Sequence, residues 1–148
     1  MLNLLKPIDL SAKASTGLLL LRLLAGSAMV LHGLPKLGNP TGWMPAEVGI
    51  PGFLLALVVL GEVAGGLGLL LGALSPLACL GVAAAMGGAI WFKIQNGAAF
   101  VNQSEGYSYP ALFLAVAVAL IFTGPGRFSL DALVFGKANA PSSDPALQ

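Results

Sequence analysis

The sequence is poor in the residues on which most soluble chemistry depends. It has one cysteine, Cys79, which excludes an intrachain disulfide, a CxxC redox pair and any cysteine-rich metal or iron–sulfur site. It has one histidine, His32, which cannot build a metal site needing three or four ligands. Only 9% of the 148 residues are charged, against about 25% in a soluble domain. So few charges cannot cover a water-exposed surface, and a soluble globule is excluded. The net charge is +1 and no Lys/Arg cluster occurs, so a nucleic-acid partner is not expected. No GxGxxG after a strand, P-loop, GxSxG or HExxH is present.

What is abundant is apolar: 57% of residues are hydrophobic and mean hydropathy is +0.89. No charged residue occurs in the 30 positions between Glu62 and Lys93, nor in the 21 between Glu105 and Arg127. A helix needs about 20 apolar residues to cross a bilayer core of about 30 Å. Four spans are predicted, at about 16–34, 52–72, 76–96 and 107–123. They make one transmembrane domain over 16–136, after a leader at 1–15 and before a disordered tail at 137–148. Gly72, Ser75 and Pro76 read as helix end, helix cap and first turn of a tight hairpin. Residues 35–51 hold Gly and Pro breakers with Trp43 and Met44, and form an interfacial loop. A cleavable leader ending at Gly26-Ser27-Ala28 is the competing reading of the N-terminus, but Arg22 interrupts its apolar stretch.

The expected fold is therefore all-α, an integral membrane four-helix bundle of antiparallel up-down spans. Lys6, Lys13, Arg22, Arg127 and Lys137 gather toward one side, and Lys36 and Lys93 toward the other. That bias puts both termini in the cytoplasm of a bacterial inner membrane.

Ionisable groups inside spans are functional hypotheses, because charge in hydrocarbon is costly. At 100° per residue, Leu18, Arg22, Ala25, Met29, His32 and Lys36 share one stripe of the first span. Gly61, Gly65, Gly68 and Gly72 form a close-packing stripe on the second, with Glu62 beside it. At a rise of ~1.5 Å per residue, Arg22 lies ~9 Å and His32 ~24 Å above the inner edge, while Glu62 lies ~15 Å below the outer one. Arg22 and Glu62 then differ by ~6 Å in depth, within pairing reach. Either the pair only holds the two spans in register, or Glu62 and His32 handle protons beside a polar cavity. Lys36 reads as a snorkelling anchor. On the third span Ala84, Gly88, Trp91 and Gln95 share a face, with Trp91 in packing, while Tyr107 and Tyr109 suit an aromatic belt or a site. Ala111, Ala115 and Ala119 form a small-residue face, and Cys79 is buried and inert.

Leu20-Leu21-Arg22-Leu23 with Gly26, then His32-Gly33 and Lys36-Leu37, resembles the first-helix signature of the DoxX family of small bacterial membrane proteins. Gly61-Glu62, Gly65-Gly66-Leu67 and Leu71-Gly72 resemble its second-helix motif, and Met86 and Ala89 its third helix. Gly124-Pro125-Gly126-Arg127 and Ser129-Leu130-Asp131 resemble its C-terminal signature, so the likeness runs over about 16–131. Ser75-Pro76, Lys93 and Ser108 stand where the family commonly has Thr-Arg, His and Glu. The resemblance implies an inner-membrane protein serving quinone-linked redox metabolism, since the family name comes from a subunit of a thiosulfate:quinone oxidoreductase. It implies oxidoreductase subunits as partners, homo-oligomers as another form of assembly, and a quinone in place of a covalently bound cofactor. Glu62 and His32 are then the proton-handling candidates, and Arg22, Lys36, Tyr109 and Gln95 the binding candidates. A small-solute carrier or channel and a non-catalytic membrane scaffold are the competing readings.

Overall fold

The computed structural model describes residues 10–102 and 106–135. These form α1 (Ala12–Gly33), α2 (Gly52–Leu71), α3 (Ser75–Gln95), α4 (Ser108–Thr123) and a short α5 (Leu130–Phe135), with no strand among them. Two 3-10 helices, Leu34–Gly38 and Ala46–Val48, punctuate the α1–α2 loop. α1, α2 and α3 are long and apolar enough to cross a membrane, while α4 is a shorter apolar helix. Its 16 residues rise ~24 Å, somewhat less than a typical bilayer core.

Local chemistry sets the helix ends. The Ser11 hydroxyl accepts the Ala14 N–H at 3.2 Å, so α1 starts at Ala12 and not at residue 16. Residues 12–15 of the expected leader are therefore helical. Residues 1–9 of that leader, the tail after residue 135, and Gln103 and Glu105 lie outside the described residues. Gly72 ends α2 as expected, at φ 62°, with the Ala73 N–H reaching the Gly68 carbonyl at 3.0 Å. Ser75 does not cap α3. The capping position falls on Leu74, and the acceptor is Asp131 of α5: its Oδ1 and Oδ2 take the N–H groups of Leu74 and Ser75, both at 2.8 Å.

α2 packs against α1 on one side and α3 on the other, and α3 packs on α4; α1 meets α4 only along a short stretch. Glycine makes the two α2 contacts close. A Cβ on Gly61 would lie 2.6 Å from the Gly81 carbonyl oxygen, and one on Gly68 would lie 2.5 Å from Ala78 Cβ. Gly66 faces the other way, so that its Cβ would come within 2.9 Å of the Gly26 oxygen, and one on Gly26 within 2.7 Å of the Gly66 oxygen. The core between the helices is Met29, Leu69, Val82, Met86, Phe113, Ala117 and Leu120, with Cys79 fully buried among them.

Two expected packing faces point outward instead. Trp91 is 62% exposed, and Ala84, Gly88 and Gln95 are exposed beside it. Ala115 and Ala119 are exposed on α4, where Phe113, Ala117 and Leu120 make the contact. Bulk wins over smallness here: burying Phe113 and Leu120 removes more apolar area than burying two alanines.

Candidate functional site

The register of α1 against α2 decides which charges meet. Gly26 lies on Gly66, and a Cβ on Gly33 would touch Glu62 Cβ at 3.1 Å and Val63 Cγ2 at 2.5 Å. In this antiparallel pair Arg22 comes level with Leu69, two turns from Glu62. The Arg22–Glu62 pair expected from depth counting does not form. Counting from span edges assumed matched edges, whereas the glycine contact slides the helices past that alignment.

Glu62 instead meets Lys36. The helical rise stops at Gly33, and the 3-10 turn Leu34–Gly38 folds Lys36 back over the helix end. Lys36 Nζ donates to both Glu62 oxygens at 2.6 Å, and Glu62 is only 2% exposed. The Lys36 side chain is 16% exposed, so it is a half-buried partner of Glu62 and not a snorkelling anchor. Its ammonium also sits 4.4 Å from the Trp43 ring centroid, while the Trp43 indole N–H donates to the Leu55 carbonyl at 3.3 Å. The loop thereby closes over the ion pair. A buried pair of this kind repays its desolvation only when geometry is good and further partners are present.

His32 is not on the buried side with Arg22. It is exposed at the edge of α1 facing α4, where its ring stacks on Tyr109 with centroids 5.5 Å apart and planes 29° from parallel. Tyr109 contacts Phe113 in turn, at 4.6 Å, and lies within electrostatic range of Glu62. Lys36, Glu62, Tyr109 and His32 therefore gather at the end of α1 that carries the loop. Gln95, exposed at the C-terminus of α3, joins none of these contacts.

Arg22 belongs to the opposite end. It is 1% exposed, and its guanidinium donates to three carbonyls: Leu69 from Nε at 3.0 Å, Pro125 from Nη1, and Phe128 from Nη2 at 2.9 Å. The planar fork thus ties α1 to the end of α2 and to the segment before α5. Ser15 adds to the clasp by accepting the Arg127 N–H at 3.2 Å. A Cβ on Gly72 would lie 2.5 Å from Ser129 Cβ and 2.9 Å from Arg22 Nη1, so only glycine fits under the clasp. These groups are satisfied by backbone and present nothing to a ligand.

Comparison with protein families matches the DoxX model over residues 17–95, more than half of the chain. The chain belongs to the DoxX family. The match takes in Arg22, His32, Lys36 and Glu62, while Tyr109 and the C-terminal signature lie beyond it. No curated protein and no solved structure matches this DoxX chain. Among its described residues no three His, Cys, Asp or Glu side chains come together as a metal site would need.

Sequence reasoning missed two residues of consequence in this DoxX protein. Trp43 was placed in an interfacial loop, but an indole over an ammonium cannot be foreseen without the fold of residues 35–51. Asp131 stands only inside a signature, yet its carboxylate accepts the N–H groups of residues 74 and 75, a long-range contact that periodicity does not carry.

Proposed function

We propose that this DoxX protein is a bacterial inner-membrane, four-span bundle that serves as subunit or accessory of a quinone-linked redox system. Both termini face the cytoplasm, and the Lys36–Glu62–Tyr109–His32 cluster lies at the outer end. The observation that carries this reading is the cluster itself: a buried carboxylate held by both oxygens, next to a stacked His–Tyr pair that is open at the helix edge.

The residues fit a quinone head. His32 and Tyr109 offer flat faces and hydrogen-bonding edges, and the wall below them is apolar. A bound quinone would accept electrons delivered by a partner oxidoreductase. The chain's own work is to orient the head and to move protons: Lys36 holds the Glu62 carboxylate by both oxygens, and His32 exchanges protons with the outer face. The carrier reading is disfavoured because Arg22 is saturated by carbonyls and Met29 and Leu69 are buried between it and Glu62.

The test is quinone reduction by membranes or by the purified complex carrying Glu62→Gln. The expected result is loss of the effect with normal protein levels. Unchanged quinone reduction, with loss of a partner protein only on deletion of the chain, would establish a scaffold and overturn the reading.

A further inference from the structure

Residues 34–51 join α1 to α2 and carry the two side chains that close over Glu62, yet none of them is buried. The helix before them is fixed: a Cβ on Gly33 would lie 2.5 Å from Val63 Cγ2, so α1 is pinned on α2 just where the loop begins. The loop itself is fastened at three points. Lys36 Nζ holds both Glu62 oxygens, and the Trp43 indole N–H donates to the Leu55 carbonyl at 3.3 Å. The Thr41 carbonyl rests on Gly52, where a Cβ would lie 2.8 Å from its oxygen. Its other backbone bonds are local, from Asn39 N–H to Lys36, Gly42 N–H to Asn39 and Val48 N–H to Pro45, so its turns can travel as units. Gly38 and Gly49 stand in open space, and Gly49 has φ 71°. Few buried contacts and solvent-facing turns mark a segment that opens far more readily than the helices it joins.

We propose that residues 34–51 are a hinged lid over Glu62, with Lys36 as its latch and Trp43 as the residue that positions the latch. Outward from the carboxylate come the ammonium and then the indole face, both carried by the loop. What seals the two oxygens therefore leaves with the lid. Opening parts ammonium from carboxylate, hydrates both, and gives Glu62 a path to the aqueous side on which the loop lies. The proposal rests on the reading above in taking Glu62 as the working group, and adds control of access to it. The loop contacts stand whatever the occupant of the site.

Carboxyl labelling of the full chain in phosphatidylcholine nanodiscs tests the lid without measuring turnover. The probes are a water-soluble carbodiimide and excess glycine methyl ester. The carbodiimide adds to a carboxyl oxygen; an amine then attacks the acyl carbon, the urea leaves, and an amide remains. Peptide mass spectrometry reads the ester adduct, or the loss of one water where Lys36 itself closes on activated Glu62. Glu47, exposed in the same loop, reports the reagent, and Asp131, buried at the opposite end, reports general unfolding. In the parent, Glu62 is expected to react far more slowly than Glu47 and to yield both products. Labelling follows the open population when opening is fast beside the reaction. Lys36→Met should then speed labelling of Glu62 by at least about tenfold, as befits a lost partner of a buried carboxylate. Trp43→Leu keeps the ion pair and alters only a half-buried loop position, and should speed it about threefold, the worth of one cation–π contact. One rate for Glu62 in all three proteins, or no reaction there while Glu47 reacts, would overturn the lid. So would labelling of Asp131 in step with Glu62. Unchanged labelling with quinone reduction still dependent on Glu62 sinks the lid alone; faster labelling in both variants with Glu62→Gln fully active sinks the quinone-linked reading alone.

Discussion

Two cations enter the helix core and are partnered in different ways. Arg22 spends its fork on three carbonyls, a use that suits five donors in a fixed plane. Lys36 is a point charge on a flexible stem, and both Glu62 oxygens close on it. The difference makes the ion pair separable from the fold. Lys36→Met leaves the Glu62 carboxylate buried without its cation and should lower unfolding stability by about 3–5 kcal/mol, the cost of breaking a buried pair. Lys36→Met with Glu62→Leu removes both charges and should return stability to near the parent level, since a hydrophobic replacement of a buried pair is often neutral or better. On the proposed quinone-linked reading, the double variant would still lack that activity. Denaturation in detergent, read beside quinone reduction, checks both; a double variant as unstable as the single would show that the pair stabilises in its own right.

Between elements, small residues matter where a neighbouring helix comes close. The Gly26–Gly66 contact sets α1 on α2, whereas the equally small Gly88 and the nearly as small Ala115 and Ala119 face outward. Gly26→Ala places a methyl 2.7 Å from a carbonyl oxygen that cannot retreat. It should destabilise by roughly 1–3 kcal/mol, as overpacking does, while Gly88→Ala should cost nothing measurable. Comparing the two by thermal unfolding in detergent checks this. The glycine spacing was legible in the sequence, including the helix end at Gly72. The choice among the small-residue stripes was not, because a stripe of alanines reads the same whether a neighbour or lipid covers it. The cap on α3 was misassigned for a related reason: Ser75 is the local candidate, but a carboxylate 56 residues away binds two N–H groups where a hydroxyl binds one.

For the whole molecule, the bias of basic residues predicts that residue 11 and residue 39 lie on opposite sides of the membrane. Cys79 is fully buried, so the parent chain gives no background to a thiol reagent. Asn39→Cys should react with a membrane-impermeant maleimide added outside intact cells, and Ser11→Cys should react only after the membrane is opened. The reverse pattern would invert the topology and with it the outer placement of the His32 cluster.

Hydropathy and breakers by themselves determined that the chain is helical and membrane-spanning, and about where its apolar helices run, because desolvation and backbone hydrogen bonding act locally. The identities of the charged residues of interest, Arg22, His32, Lys36 and Glu62, were also legible, since charge among apolar residues stands out. Their partners were decided only by tertiary structure. The close glycine contact of α1 with α2 sets a register that separates Arg22 from Glu62, and a 3-10 turn returns Lys36 to the carboxylate. A few residues of slide are invisible in a periodic pattern, yet they reassign every charge to a new neighbour.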